Sequence, residues 1–173
     1  MATLQQSSQP RPDRHAGSVR QWVVLAGLLA ASFLVAFVGG LASTSGVDGW
    51  YAAADKPPWT PPNWLFGPVW TVLYTAMAVA AWLVWRRWGW QNAKPALSLY
   101  AAQLVLNALW TPLFFGAELL WLGLAVIVAL DIVLALTMIA FFRKHRLAGA
   151  LLVPYLLWVL YASSLNAGVA YLN

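Results

Sequence analysis

The sequence predicts an all-α integral membrane protein, a bundle of five transmembrane helices with a Trp/Pro-rich loop between helices 1 and 2. Three observations carry that prediction. Of 173 residues, 62% are hydrophobic and 9% charged, against about 25% charged in ordinary soluble domains. The apolar residues fall into five blocks, each near the roughly 20 residues that a helix needs to cross a bilayer core. The basic residues gather on one side of those blocks, as the orientation rule for membrane helices requires.

Residues 1–21 form a polar, basic tail containing Arg11, Arg14 and Arg20. Nothing in it can bury a core, so disorder is expected. Residues 22–172 form the membrane domain. Its first span covers about 22–41, longer than the apolar stretch of about 7 to 15 residues in a signal peptide, so it is expected to be retained. The second, about 67–88, opens on Gly67 and Pro68, with proline in the first turn where its missing N–H costs nothing. Arg86 and Arg87 close it. The third, about 95–115, ends in a short turn at Gly116 that enforces an antiparallel hairpin with the fourth, about 119–142. Arg143, Lys144, His145 and Arg146 separate that from the fifth, about 147–172, where Pro154 is expected to kink the helix.

Five crossings place the termini on opposite sides. The side of the tail then receives nine of the ten Lys and Arg residues, and the other side only Lys56. This predicts a cytoplasmic N-terminus, with the C-terminus and the Trp/Pro loop on the outer face. The net charge of +5 therefore marks membrane edges and gives no reason to expect nucleic acid.

The loop and the helix after it, residues 50–74, read WYAAADKPPWTPPNWLFGPVWTVLY, with four of the twelve tryptophans and five of the ten prolines. Proline stiffens the backbone and removes donors, so a stiff extended cover is expected rather than helix. Tryptophan offers a broad π face and one indole donor, suited to a site that is oily on one side and polar on the other. Trp64 and Phe66 are expected as interfacial anchors.

On the third span Tyr100, Gln103, Asn107, Trp110 and Phe114 recur at offsets of 3 and 4 and share one helix face. Two readings stand for Gln103 and Asn107, interhelical glue or the wall of a ligand cavity. The fifth span repeats the pattern with Tyr155, Trp158, Ala162 and Leu165, and Asn166 one step round. Asp131, the acidic residue in the middle of the fourth span, should face inward, be protonated, or both. Enzyme templates find little material. There is no cysteine, and His15 and His145 lie in the tail and a basic loop, so neither a metal site nor a catalytic triad is expected.

Three ordered motifs, WY-x4-KP-x-W-x-PP-x-W-x-x-GPVW-x-x-LY, Y-x-x-QL-x-LN-x-x-W-x-P-x-FFG and PYL-x-W-x-x-x-A-x-x-LN, span the domain. Through them the sequence closely resembles the translocator protein family, also called tryptophan-rich sensory proteins or peripheral benzodiazepine receptors. The resemblance implies a bacterial-type member in the cell membrane, a homodimer of five-helix bundles. It implies a receptor or sensor that binds porphyrins, such as protoporphyrin IX or haem-like tetrapyrroles, and other planar lipophilic molecules, and so regulates tetrapyrrole metabolism or stress responses. No cofactor is required. By motif the implied ligand contacts are Trp70, Gln103, Asn107, Trp110, Trp158 and Ala162, with Tyr51 and Trp59 in the covering loop. Two alternatives accompany this reading: light-dependent porphyrin breakdown, with Trp70 and Trp158 as the reactive rings, and a small transporter of hydrophobic ligands. Sterol binding through a C-terminal motif is not expected, because Tyr171 is followed only by Leu172 and Asn173. Ala26, Gly27, Ala30 and Ala31 are small enough to let two copies approach closely.

Overall fold

A computed structural model describes the backbone of residues 14–47 and 49–173, and the side chains of 19–43, 46–47 and 49–173. Among these residues every regular element is helical, with no strand. The helices are α1 (Arg14–Val47), α2 (Trp50–Ala53), α3 (Phe66–Thr111), α4 (Leu120–Lys144) and α5 (Arg146–Leu172). A 3-10 turn at Asn63–Leu65 precedes α3 and a π turn at Pro112–Gly116 follows it. Among the described residues four helical stretches are long and apolar enough to cross a membrane.

The second and third expected spans are one continuous assignment, α3, which folds back on itself. Gly89, at φ 67° and ψ 177°, is its non-helical residue. In a straight helix Tyr74 and Asn107 would lie about 50 Å apart at 1.5 Å per residue. Here the Tyr74 hydroxyl donates to Asn107 Oδ1 at 2.7 Å, and Gln103 Nε2 donates to Met77 Sδ at 3.6 Å. Both pairs centre on residue 90, so residues 66–88 and 90–111 are two antiparallel arms. The connection expected between the spans at about 67–88 and 95–115 is therefore corrected to a one-residue reversal. Glycine reaches a positive φ without steric cost, so its neighbours stay helical.

Several other boundaries move for similar reasons. Helix α1 begins at Arg14, inside the expected tail, and ends at Val47; bilayer thickness limits the apolar stretch, here Val19–Ser43, but not the backbone hydrogen bonding beyond it. The rest of the expected tail, residues 1–13, lies outside the described residues. The basic link before α5 shrinks to His145, extended at φ −157°, whose side chain caps α5 by accepting from Ala148 N. In the turn before α4 the left-handed residue is Glu118, φ 57°, not Gly116.

Packing centres on α3, which contacts α1, α4 and α5, while α4 and α5 form a second antiparallel pair. Buried Ser32 shares a hydrogen bond with Tyr100, tying α1 to the second arm. The opposite side of α1 is open and apolar, with Leu34, Phe37, Val38 and Leu41 exposed, and Ala26, Gly27, Ala30 and Ala31 lie on exposed positions too. At the basic end, indoles hold the cations in place. Arg86 lies 5.0 Å from the Trp82 ring and Lys144 4.6 Å from Trp88, a stacking that suits a membrane interface.

Candidate functional site

The polar stripe of the second arm is buried along its whole length, and Gln103 and Asn107 are 0% and 1% exposed. Their hydrogen bonds form a closed relay. Tyr74 donates to Asn107 Oδ1, Asn107 Nδ2 donates to the Tyr155 hydroxyl at 2.7 Å, and Tyr155 donates to Gln103 Oε1 at 2.9 Å. Both arms of α3 and helix α5 are joined through it. Next along the stripe, Trp110 Nε1 donates to Asn166 Oδ1 at 3.1 Å, and Asn166 Nδ2 donates to Leu120 O. Phe114 stacks on Trp110 at 5.7 Å.

Beside the relay lies a cavity of about 430 Å³. One wall is α1, through Phe33, Ala36, Gly39, Gly40, Ser43 and Val47. The first arm supplies Phe66, Gly67, Trp70, Thr71 and Tyr74; the end of the second arm supplies Trp110 and Thr111, and the turns supply Asn63 and Phe115. Among the described residues no charged side chain lines it. Trp70 is held edge-on to Tyr155 at 6.1 Å and tilted against Tyr74 at 5.4 Å, so the relay that joins the helices also fixes the cavity's aromatic wall.

Of the eight residues singled out in the sequence, Trp70 and Trp110 share this cavity. Asn107 and Gln103 lie behind it, their polar atoms already bonded within the relay. Trp158 lies elsewhere, in an apolar groove between the first arm and α5 with Pro68, Val72, Pro154 and Leu157. Phe66 joins the two places, lining the cavity while meeting Trp158 edge-on at 5.9 Å; it is half-buried rather than a free interfacial anchor, whereas Trp64 is 72% exposed. Ala162 is buried in the core. Asp131 faces α5, where Ser163 Oγ donates to its Oδ2 at 2.7 Å.

The loop forms a strap. Its start is helical, a correction to the extended cover expected throughout, because the prolines that forbid helix begin only at Pro57. Tyr51, 3% exposed, packs between Phe114 and Phe115, with the Lys56 ammonium 5.0 Å from its ring. Burial, and then the neighbouring Tyr161, push the Tyr51 phenol above its ordinary pKa. Trp50 Nε1 donates to Phe115 O at 2.9 Å. Farther along, the strap is fastened to α5. Tyr161 donates to the Trp59 carbonyl, Asp55 N donates to Asn173 Oδ1, and Asn173 Nδ2 donates to Asp55 O. Trp59 itself is 51% exposed.

The wall that sequence reasoning missed is α1. Its signal is present in the chain, since Ala36, Gly39, Gly40, Ser43 and Val47 recur at helical spacing, but Ala26, Gly27, Ala30 and Ala31, one to three turns earlier, offer an equally small face.

The model of the TspO/MBR family matches residues 28–172. The chain belongs to that family. Tryptophan-rich protein TspO of Archaeoglobus fulgidus is 41% identical over 145 residues, covering 84% of this chain and 94% of the relative. The tryptophan-rich sensory protein of Cereibacter sphaeroides is 41% identical over 152 residues, 88% and 92% of the two chains. Human translocator protein is 39% identical over 147 residues, 84% and 87%. For this TspO/MBR chain the matched region begins within α1 and takes in both arms, the strap and α5.

Proposed function

We propose that this chain is a membrane receptor or sensor that binds planar lipophilic ligands, tetrapyrroles such as protoporphyrin IX first among them, in the cavity between α1 and α3. The observation that supports it is the cavity itself, within the volume range of small-molecule sites, uncharged among the described residues, and faced by Phe33, Phe66, Trp70, Tyr74, Trp110 and Phe115. Flat aromatic walls suit a flat apolar ligand through stacking. The names of the relatives, sensory protein and translocator protein, agree with ligand recognition in a membrane. In this reading the two arms of α3 are separate crossings, five in all, with the basic end cytoplasmic and the strap outside. Two copies pair through the exposed small residues of α1.

The alternatives draw less support. Porphyrin photooxidation by a Trp70 and Trp158 pair has one ring in the cavity and the other in the groove. A transport role for Asp131 has its carboxylate turned to Ser163, outside the cavity lining. The test is a titration of purified protein with protoporphyrin IX, followed by quenching of tryptophan fluorescence. Trp70→Leu with Trp110→Leu should weaken binding about tenfold, or about 1.4 kcal/mol, while Trp158→Leu should leave it within about twofold. Equal affinity in all three proteins would remove the cavity as the site.

A further inference from the structure

We propose that the cavity admits its ligand sideways from the bilayer, through a mouth between Gly40 of α1 and Gly67 of α3, and that it takes an amphiphile whose polar end stays at the strap side. This rests on the reading of the cavity as the ligand site. The lining divides into a buried floor, with Gly39, Tyr74, Trp110 and Phe115, and an exposed rim of Phe33, Gly40, Gly67 and Thr71, with Asn63 exposed at the strap end. The rim joins the apolar stretch Val19–Ser43 to the start of α3, so it opens toward hydrocarbon. Two of its four residues have no side chain, and a Cβ built on Gly40 or Gly67 meets nothing within 4 Å.

The strap end is more closely packed, with Asn63 its exposed lining residue. A Cβ on Gly46 would collide with the Phe115 carbonyl, and one on Gly168 with Pro57. The Trp50, Tyr161 and Asn173 hydrogen bonds hold the strap across the top. A ligand arriving from water would have to break these contacts, whereas one dissolved in the bilayer breaks none.

The polar lining fixes the ligand's direction. Ser43, Asn63, Thr71 and Thr111 lie toward the strap, while Phe33 is ten residues below Ser43, about 15 Å deeper at 1.5 Å per residue. The hydroxyls of Ser43 and Thr71 donate to their own helix, to Gly39 O and Gly67 O, and so face a ligand as acceptors. Among the described residues no cation lines the cavity, and acceptor oxygens do not bind carboxylates, so carboxylates stay at the interface while the apolar body enters.

The experiment uses the full chain in phosphatidylcholine nanodiscs, with protoporphyrin IX delivered from vesicles and tryptophan quenching followed by stopped flow. Gly40→Phe with Gly67→Phe, which alters two lining residues and leaves Kd free to change, should slow both association and dissociation, association by about tenfold, whereas a loss of affinity alone would speed dissociation. Single Gly40→Ala and Gly40→Leu variants should slow both rates in graded order, and they carry the test if the double variant does not fold. In this cysteine-free chain, a Pro57→Cys and Gly168→Cys disulfide should pin the strap without changing either rate. Unaltered rates in the mouth variants overturn the proposal, as do slow rates in the oxidised strap variant that recover on reduction. Absence of quenching in the unmodified protein would instead overturn the binding reading.

Discussion

The relay and the cavity lie side by side on the same helices, and they use similar residues for opposite ends. In the relay, Tyr74, Asn107, Tyr155 and Gln103 satisfy one another away from solvent. In the cavity, Trp70 and Trp110 leave space beside them and α1 contributes small residues. A polar group bonded on every side is glue; an aromatic face with a void beside it is a place for a ligand. The difference teaches that polarity in a membrane helix does not by itself mark a binding site, because hydrocarbon forces polar groups to pair wherever they occur.

The strongest way to break the comparison is Asn107→Leu, which strands the Tyr74 hydroxyl and removes the donor to the Tyr155 hydroxyl, while Tyr155 still donates to Gln103. A destabilisation of about 2 to 3 kcal/mol is expected from leaving a buried donor and a buried acceptor without these partners, measured by reversible unfolding in mixed micelles. A ligand affinity that falls with no loss of stability would reverse the roles assigned to the two regions. Trp110→Phe cuts across both regions, since it keeps an aromatic wall but leaves Asn166 Oδ1 without its donor. The expected cost is about 1 to 2 kcal/mol of stability, with protoporphyrin IX affinity nearly unchanged.

Tyr161→Phe sharpens the comparison from the side of the strap. Losing the hydrogen bond to the Trp59 carbonyl should raise local opening of residues 54–62 by about 1 kcal/mol, read as faster amide hydrogen exchange there and nowhere in the relay. The smallest effect belongs to Glu118, which holds a left-handed φ of 57°. Glu118→Gly should stabilise the turn between the second arm and α4 by up to about 1 kcal/mol. Unfolding of that variant at the original midpoint would mean that the turn carries no strain.

Much of this was legible in the chain. The helical stripe at 100, 103, 107, 110 and 114 is buried as its spacing predicted, and the reversal before the third span was placed within a few residues of Gly89. The strap's partner was not legible, because the Tyr161 to Trp59 and Asn173 to Asp55 contacts join residues more than 100 positions apart. Nor was the separation of Trp158 from Trp70. Both sit on apolar helices at positions that tolerate either side, and the rotation of α5 against the first arm decides which groove each ring enters.

The sequence by itself determined that the chain is helical, that it lives in a membrane, which residues lie on each helix face and which family it belongs to. Those follow from composition, from a 3.6-residue period and from motifs, all local properties of the chain. Only the tertiary structure decided that α1 completes the cavity, that Asn107 and Gln103 spend their hydrogen bonds on tyrosines, and that the strap is tied to α5. Each of these depends on which helix faces meet. Packing in three dimensions fixes that, and no single helix encodes it.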